Sequence, residues 1–407
     1  MSDFGVIRSP RLTLFGSGKR AALAGSVRLL GDRAFICTDS RWRIDPHLRA
    51  LADGLLQAGL HVEIYDQTLP ELPLDCVEEA TRLARAFEPD VVIGVGGGSC
   101  LDLAKLVSLG LAHTDPLPTY YGEFKVPGPI RPVIAVPTTA GTGSEVTPVA
   151  VVADPLRITK VGISSPYLIP EIAICDPELT VSCPARLTAI AGADALTHAI
   201  EAFTAVSRPT EPEIALERVF VGKNRSSDVA AREAIRTLSA ALPRAVADGA
   251  DHLAREQVMF GAFSAGQAFG VAGTAAAHAI QYPIGALTGT AHGLGVATLM
   301  PYVMTFNLPA RLAEMAEIAD LMGLHATGSD EARGFRAIAA VAELFAGIGI
   351  PSTLAELGLG NDRLDWVAEQ SLGATRLVTN NPRQLDQDAA TAIVAAAYSG
   401  CREQLIA

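Results

Sequence analysis

Short apolar runs alternate with amphipathic stretches from Arg20 to about Asp154. RAFICTDS (33–40), HVEIYD (61–66), DVVIGVGGG (90–98) and PVIAVPTT (132–139) each read as a buried strand, a few apolar residues closed by turn formers. Between them, the stretches 45–60 and 75–89 carry apolar positions at helical spacing. This alternation predicts a parallel sheet covered on both faces by helices, with ligands at the carboxyl ends of its strands. From Pro184 onward the β-rich runs cease and Ala-rich helical patterns take over, punctuated by Gly and Pro. The fold class expected is therefore α/β followed by all-α, with one domain over 1–180 and a helical one over 181–407. The polar stretch Ser207–Asp228 is expected to be an irregular surface loop, and no internal repeat is evident.

Two strand ends carry chemistry. GVGGGSCLDLAK (94–105) closes a strand with Gly96, Gly97 and Gly98, and Ser99 is placed to cap a helix starting at Leu101. Glycines let backbone N–H groups approach a phosphate, and a helix N-terminus adds partial positive charge. A tight turn chosen for packing is the alternative. PTTAGTGSEVTP (137–148) sets Thr138, Thr139, Thr142, Ser144 and Thr147 beside two glycines, which suits a pyrophosphate or ribose or else a plain polar loop. Asp39 ends an early strand, where a carboxylate accepts from ribose hydroxyls and repels a 2′-phosphate, or simply caps a helix. Lys160 follows the strand VAVVAD as a cation for a phosphate or ribose, or as a surface lysine.

In the helical half, AGADALTHAIEAF (191–203) sets Asp194 and His198 four apart, one turn apart on one helix face. His278 lies in a second Ala-rich run, and His292 follows a Thr-Gly loop. One carboxylate and three imidazoles are a usual ligand set for Zn²⁺ or Fe²⁺. The alternative is four separate buried polar groups, each satisfied by hydrogen bonds.

Composition narrows the classes. A hydrophobic content of 49% with 19% charged residues describes a well-buried globular chain rather than a disordered one. A net charge of −12 with no basic stripe argues against nucleic acid or an anionic membrane as partner, and leaves small-molecule substrates open. Cys37, Cys76, Cys100, Cys175, Cys183 and Cys401 form no CxxC pair, which fits a reducing compartment, so a cytoplasmic location is expected. The opening MSDFGVIRSPRLTLFGSG lacks a basic region leading into an apolar one, so no secretory signal is expected. Apolar runs are broken by Gly well short of about 18 residues, so no membrane span is expected.

Taken in order, GGGSCLDLAK, PTTAGTGSEVT, AGADALTHAIEAF and HAIQYPIGALTGTAHG resemble the iron-containing (group III) alcohol dehydrogenases, over nearly the whole chain from about Arg20 to Asn381–Arg383. The resemblance implies a Rossmann-like dinucleotide-binding domain, a helical metal-binding domain, and an active site in the cleft between them. By position it implies Asp194, His198, His278 and His292 as ligands of Fe²⁺ or Zn²⁺, with His278 also at the catalytic centre. NAD, in preference to NADP, would meet Asp39, the Gly97–Gly98–Ser99 turn, Asp102, Thr138, Thr139, Thr142, Thr147, Val149, Lys160 and Leu179. The implied reaction is reversible hydride transfer between a primary alcohol or hydroxyacid and nicotinamide, in a homo-oligomer such as a dimer.

Two positions depart from the family pattern. Where many members carry a second histidine one turn after the third ligand, this chain has Tyr282, read as a proton relay or a packing aromatic. Where a PNPT stretch is common, it has Pro70-Glu71-Leu72-Pro73. The Tyr in HAIQYPIG, together with VGKN before Ser226, is similar to the hydroxyacid-oxoacid transhydrogenase branch, which handles 4-hydroxybutyrate-like substrates. A lyase resembling dehydroquinate synthase shares the two-domain plan, but its chemistry needs several Lys and Arg around a phosphorylated acid. The substrate is expected to meet the loop Tyr120–Phe124, Phe269 and Tyr282.

Overall fold

The computed structural model describes residues 4–209, 211–325 and 327–406. The first three residues of the segment read for a signal, and Thr210 of the 207–228 stretch, lie outside the described residues. The chain divides into two compact units. One holds Arg8–Cys183 with Leu216–Val219; the other holds Pro184–Ala215 and Phe220–Ala407 with the N-terminal segment ending at Ile7.

The first unit is built on strands β1 (Leu12–Phe15), β2 (Arg33–Cys37), β3 (His61–Tyr65), β4 (Val91–Gly96), β5 (Gly122–Glu123), β6 (Val133–Pro137), β7 (Val149–Val152), β8 (Val161–Ser164) and β9 (Ile172–Cys175). Six of them form a parallel sheet in the order β1-β9-β6-β4-β2-β3. The four strands expected from apolar runs are β2, β3, β4 and β6, and VAVVAD holds β7; β1, β5, β8 and β9 have no counterpart among the expected strands. Helices α1 (Leu23–Arg28), α2 (Pro46–Gln57), α3 (Leu74–Phe87) and α4 (Gly98–Ala112) connect the first part of the sheet. Along β2 the side chains alternate: Ala34 and Ile36 pack with Leu51 and Leu55 of α2, while Phe35 and Cys37 pack with Ala80 of α3 and Leu103 of α4. Both faces are covered, which is why these strands read as continuous apolar runs. β7 and β8 pair antiparallel and β5 joins β8 in a small second sheet.

The strand order has a consequence for binding. From β2 the chain runs outward to β3, then returns to place β4 on the other side of β2 and continues toward β6 and β9. The order reverses between β2 and β4, and ligands of open parallel sheets bind beyond the carboxyl ends of the strands at such a point. Asp39 and Gly97 follow those two strands.

The second unit is helical among its described residues: α5 (Ala185–Thr204), the first half of α6 (Ile214–Glu217), α7 (Arg225–Ala247), α8 (His252–Ala272), α9 (Ala276–Thr288), α10 (His292–Asn307), α11 (Leu312–Leu321), α12 (Asp330–Gly347), α13 (Leu364–Ser371), α14 (Thr375–Val378) and α15 (Gln387–Ser399). Small residues let the central helices approach closely. A Cβ at Gly192 of α5 would sit 2.2 Å from Leu242 of α7, and one at Gly261 of α8 2.6 Å from Leu238.

Two local expectations are corrected. The helix after the Gly-rich strand end begins at Gly98, capped by Gly97 in extended conformation, so Ser99 lies in its first turn and is not the cap. The 207–228 stretch is not all loop: α6 lies within it, and Asn224 with Ser227 forms a capping box that starts α7 at Arg225. That box satisfies backbone donors reciprocally, which a polar reading of the segment overlooks. No helix of the described residues is long and apolar enough to cross a membrane.

Candidate metal centre and nucleotide site

Asp194 and His198 stand one turn apart on α5, where 15 of the helix's residues from Thr188 to Thr204 are buried. His278 lies in the first turn of α9, and His292 opens α10. Asp194 Oδ1 is 3.7 Å from His198 Nε2 and 3.8 Å from His278 Nε2. The rings of His198 and His278 stack at 4.7 Å, and those of His278 and His292 lie 5.2 Å apart. Donor atoms of Asp194, His278 and His292 all fall within 4.8 Å of one another. Asp194, His278 and His292 are thus gathered, and His198 stands beside them, one turn from Asp194 and stacked on His278. Asp194, His198 and His278 are each at most 5% exposed, whereas His292 is half-buried.

Gly293 lets α10 come this close. A Cβ there would stand 2.6 Å from the carbonyl oxygen of Ile190 and 3.0 Å from Asp194 Cβ, so α10 rests directly on α5 beside the carboxylate.

The protonation pattern fits a cation. His278 Nδ1 lies 2.6 Å from Glu201 Oε2. A carboxylate oxygen only accepts, so Nδ1 is the donor, and a neutral His278 then keeps its lone pair on Nε2. That Nε2 is buried without a hydrogen-bond partner and faces Asp194 Oδ1. Two lone-pair-bearing atoms so placed in a dry interior repel each other unless a positive charge lies between them. Tetrahedral bonds of roughly 2.1 Å set donor atoms about 3.4 Å apart, close to the observed separations. The residues fit a divalent metal.

Two aromatic rings flank the cluster. Phe269 stacks on His198 at 4.2 Å, and Tyr282 stacks on His292 at 6.0 Å. Burial pushes the Tyr282 hydroxyl above its ordinary pKa; Arg376 opposes this, while Glu201 and Asp194 reinforce it.

In the α/β unit, Asp39 lies just beyond β2. Its Oδ1 accepts from the Arg41 backbone N–H at 3.0 Å and from Nε at 2.9 Å; its Oδ2 accepts from Arg41 Nη2 at 2.8 Å. Burial alone would raise the Asp39 carboxyl, but the Arg41 bonds outweigh it and hold it below its ordinary value. Arg41 Nη2 also reaches Thr138 Oγ1 at 3.1 Å, tying the ends of β2 and β6 together. A Cβ on Gly98 would meet Thr142 at 2.6 Å, and one on Gly97 would lie 3.5 Å from Thr139. Hence Asp39, the Gly97–Ser99 turn, Thr138, Thr139 and Thr142 share one strand-end region.

The remaining sequence candidates have partners of their own. Asp102 is buried, accepting from Ser144 Oγ at 2.5 Å and Val151 N at 2.9 Å. Lys105 Nζ donates to the carbonyls of Thr147 at 2.9 Å and Val149 at 2.8 Å. Lys160 pairs with Glu71, and Leu179 packs in the core beside Val136 and Ile174.

Sequence reasoning missed Glu201, Arg41 and Lys105. Glu201 had a signal, a lone carboxylate one turn beyond His198 in an apolar helix. Arg41 and Lys105 were masked by ordinary surroundings in sequence, a polar turn and an amphipathic-looking helix.

Comparison with known proteins agrees with this geometry. Residues 10–177 match the model described as "Iron-containing alcohol dehydrogenase", and 188–398 match "Fe-containing alcohol dehydrogenase family, C-terminal". The chain is 36% identical over 396 residues to long-chain-alcohol dehydrogenase 1 of Geobacillus thermodenitrificans, covering 96% of each chain. It is 33% identical over 376 residues to the NAD-dependent methanol dehydrogenase of Bacillus methanolicus, covering 92% of this chain and 94% of that protein. A crystal structure of 1,3-propanediol oxidoreductase superposes with a TM-score of 0.90 at 33% identity, covering 97% of this chain and all of the other.

Proposed function

We propose a ligand set, a substrate class and a proton-handling residue on the premise that this chain belongs to the iron-containing alcohol dehydrogenase family. It is a metal-dependent, NAD-linked alcohol dehydrogenase, moving hydride between an alcohol and nicotinamide. When bound, a divalent cation supplies the Lewis acidity that makes a substrate hydroxyl acidic, and NAD accepts the hydride.

The ligands proposed are Asp194, His198, His278 and His292. One carboxylate and three neutral imidazoles leave net positive charge for a substrate oxygen. The observation that carries this assignment is the facing pair, Asp194 Oδ1 and the bare Nε2 of His278. Phe269 and Tyr282 wall the cluster. The raised pKa keeps Tyr282 protonated at neutral pH, so its hydroxyl donates a hydrogen bond or passes a proton and does not act as a base. In the other unit, backbone N–H groups of the Gly97–Ser99 turn and the start of α4 suit the cofactor's phosphates, and Asp39 suits a ribose bearing free hydroxyls, hence NAD rather than NADP.

The substrate proposed is a small, uncharged primary alcohol or its aldehyde. Aromatic walls and two nearby carboxylates, Asp194 and Glu201, disfavour a further anion. The similar proteins named above act on long-chain alcohols, methanol and 1,3-propanediol by their names. A hydroxyacid would need a cation near the cluster, and Arg376, whose charge opposes the rise in the Tyr282 pKa, is the candidate. A panel of alcohols and hydroxyacids, followed by NADH absorbance after loading with Fe²⁺ or Zn²⁺, separates the two. Higher kcat/KM for 1-alcohols and diols than for 4-hydroxybutyrate is expected; the reverse order overturns the substrate assignment.

A further inference from the structure

Glu201 is 1% exposed, yet every bond its carboxylate makes goes to one turn of another helix. Its Oε2 accepts from the backbone N–H of Ala275 at 2.8 Å and from His278 Nδ1 at 2.6 Å; its Oε1 accepts from the N–H of Ala277 at 2.7 Å. α9 has no side-chain cap of its own, Ala275 being its capping residue. The first N–H groups of a helix need external acceptors, and a negative charge there is favoured by the helix dipole. A carboxylate from α5 supplies both, and the same carboxylate takes the proton-bearing nitrogen of His278. Glu201 lies on α5 with Asp194 and His198, so one helix carries two proposed ligands and the group that orients a third.

We propose that Glu201 is a positioning residue for the metal centre: anchored to the first turn of α9, it holds His278 in the Nδ1–H tautomer, with the Nε2 lone pair turned toward Asp194. The inference rests on the ligand set proposed above. A metal-ligating histidine whose second nitrogen is held by a carboxylate binds metal more tightly, and loss of such a partner lowers affinity by about 10–100-fold.

Glu201→Gln tests this. The amide has one accepting oxygen for three donors, and its NH₂ group can donate to Nδ1, which moves the His278 proton to Nε2 and removes the lone pair. The first readout is Zn²⁺ affinity of the apo chain by chelator competition: Glu201→Gln should bind about 10–100-fold more weakly, and Glu201→Asp, which keeps the charge, should recover part of the loss. The second readout needs no metal. Imidazole ¹H–¹⁵N correlations of the apo protein should show His278 as Nδ1–H in the unmodified chain and as Nε2–H in Glu201→Gln. Zn²⁺ affinity within twofold of the unmodified chain, or an Nε2–H tautomer of His278 in that chain, overturns the proposal. Should Glu201→Gln not fold, Glu201→Asp and the unmodified tautomer still decide it. Failure of the ligand set is distinguishable, because Asp194→Asn and His292→Ala would then keep full Zn²⁺ affinity while the tautomer result stood.

Discussion

Asp194 Oδ1 and His278 Nε2, on α5 and α9, face each other across 3.8 Å within the buried helical unit. With His278 neutral both atoms carry lone pairs, and the α10 turn bearing His292 is seated against Asp194 through Gly293. The close approach of three helices, rather than any one side chain, creates the cluster.

Gly293→Ala should therefore loosen the centre without replacing a ligand. The added methyl meets a backbone carbonyl that cannot give way, and overpacking of this kind costs about 1–3 kcal/mol. Lower metal content on purification and a lower Tm are expected. Gly347→Ala, where nothing lies within 4 Å of the added Cβ, is the neutral control. Unchanged metal content in Gly293→Ala would show that the helix contact does not set the site.

Asp39→Gly removes the carboxylate proposed to meet ribose hydroxyls and releases Arg41, whose guanidinium then suits a 2′-phosphate. The ratio of kcat/KM for NADP to that for NAD should rise by about tenfold or more, equivalent to ~1.4 kcal/mol of relieved repulsion. An unchanged ratio takes Asp39 out of the ribose site and leaves it as a turn cap.

Tyr282 keeps its proton through the neutral range because burial raises its pKa. Tyr282→Phe should lower kcat by roughly 10²-fold, the lower end of the effect of a positioned proton donor. The pH–rate profile between pH 6 and 9 should keep its shape, because the hydroxyl does not titrate there. Rates equal to those of the unmodified enzyme would assign the ring to packing alone.

Buried charge in the α/β unit makes stability depend on pH. Desolvation raises the Glu145 carboxyl from 4.5 to about 7, opposed by a backbone hydrogen bond and the Lys105 charge, and lowers Lys105 from 10.5 to about 8, opposed by Asp102 and Glu145. Between pH 4.5 and 7 the folded chain holds the Glu145 proton that the unfolded chain releases, so this group's contribution to stability falls as pH rises. Between pH 8 and 10.5 the unfolded chain holds the Lys105 proton, and the sign reverses. The Tm of Glu145→Gln relative to the unmodified chain should climb from pH 5 to pH 7.5, and a flat difference would refute the assignment.

Much of this architecture was legible because its physics is local. Strands buried on both faces appear as apolar runs, so β2, β4 and β6 stood out, and their Gly and Thr termini marked the binding edge. β1, with one exposed and three partly exposed positions in LTLF, left no such run. The four-residue spacing of Asp194 and His198 is a property of one helix and needed no tertiary knowledge. Glu201 was invisible as a partner because its acceptors are filled by α9, 74 to 77 residues away. Ser99 misled for a similar reason: glycines can begin a helix when its strand-end turn requires them, and Gly97 does so here.

The most direct test of the account is anomalous diffraction at the zinc edge from crystals of the chain loaded with Zn²⁺. A single strong peak within about 2.0–2.3 Å of Asp194 Oδ1 and of the imidazole nitrogens of His198, His278 and His292 is the predicted result, and the peak should vanish in Asp194→Asn. A fully occupied zinc bound to other residues, or the same peak retained in Asp194→Asn, would contradict it.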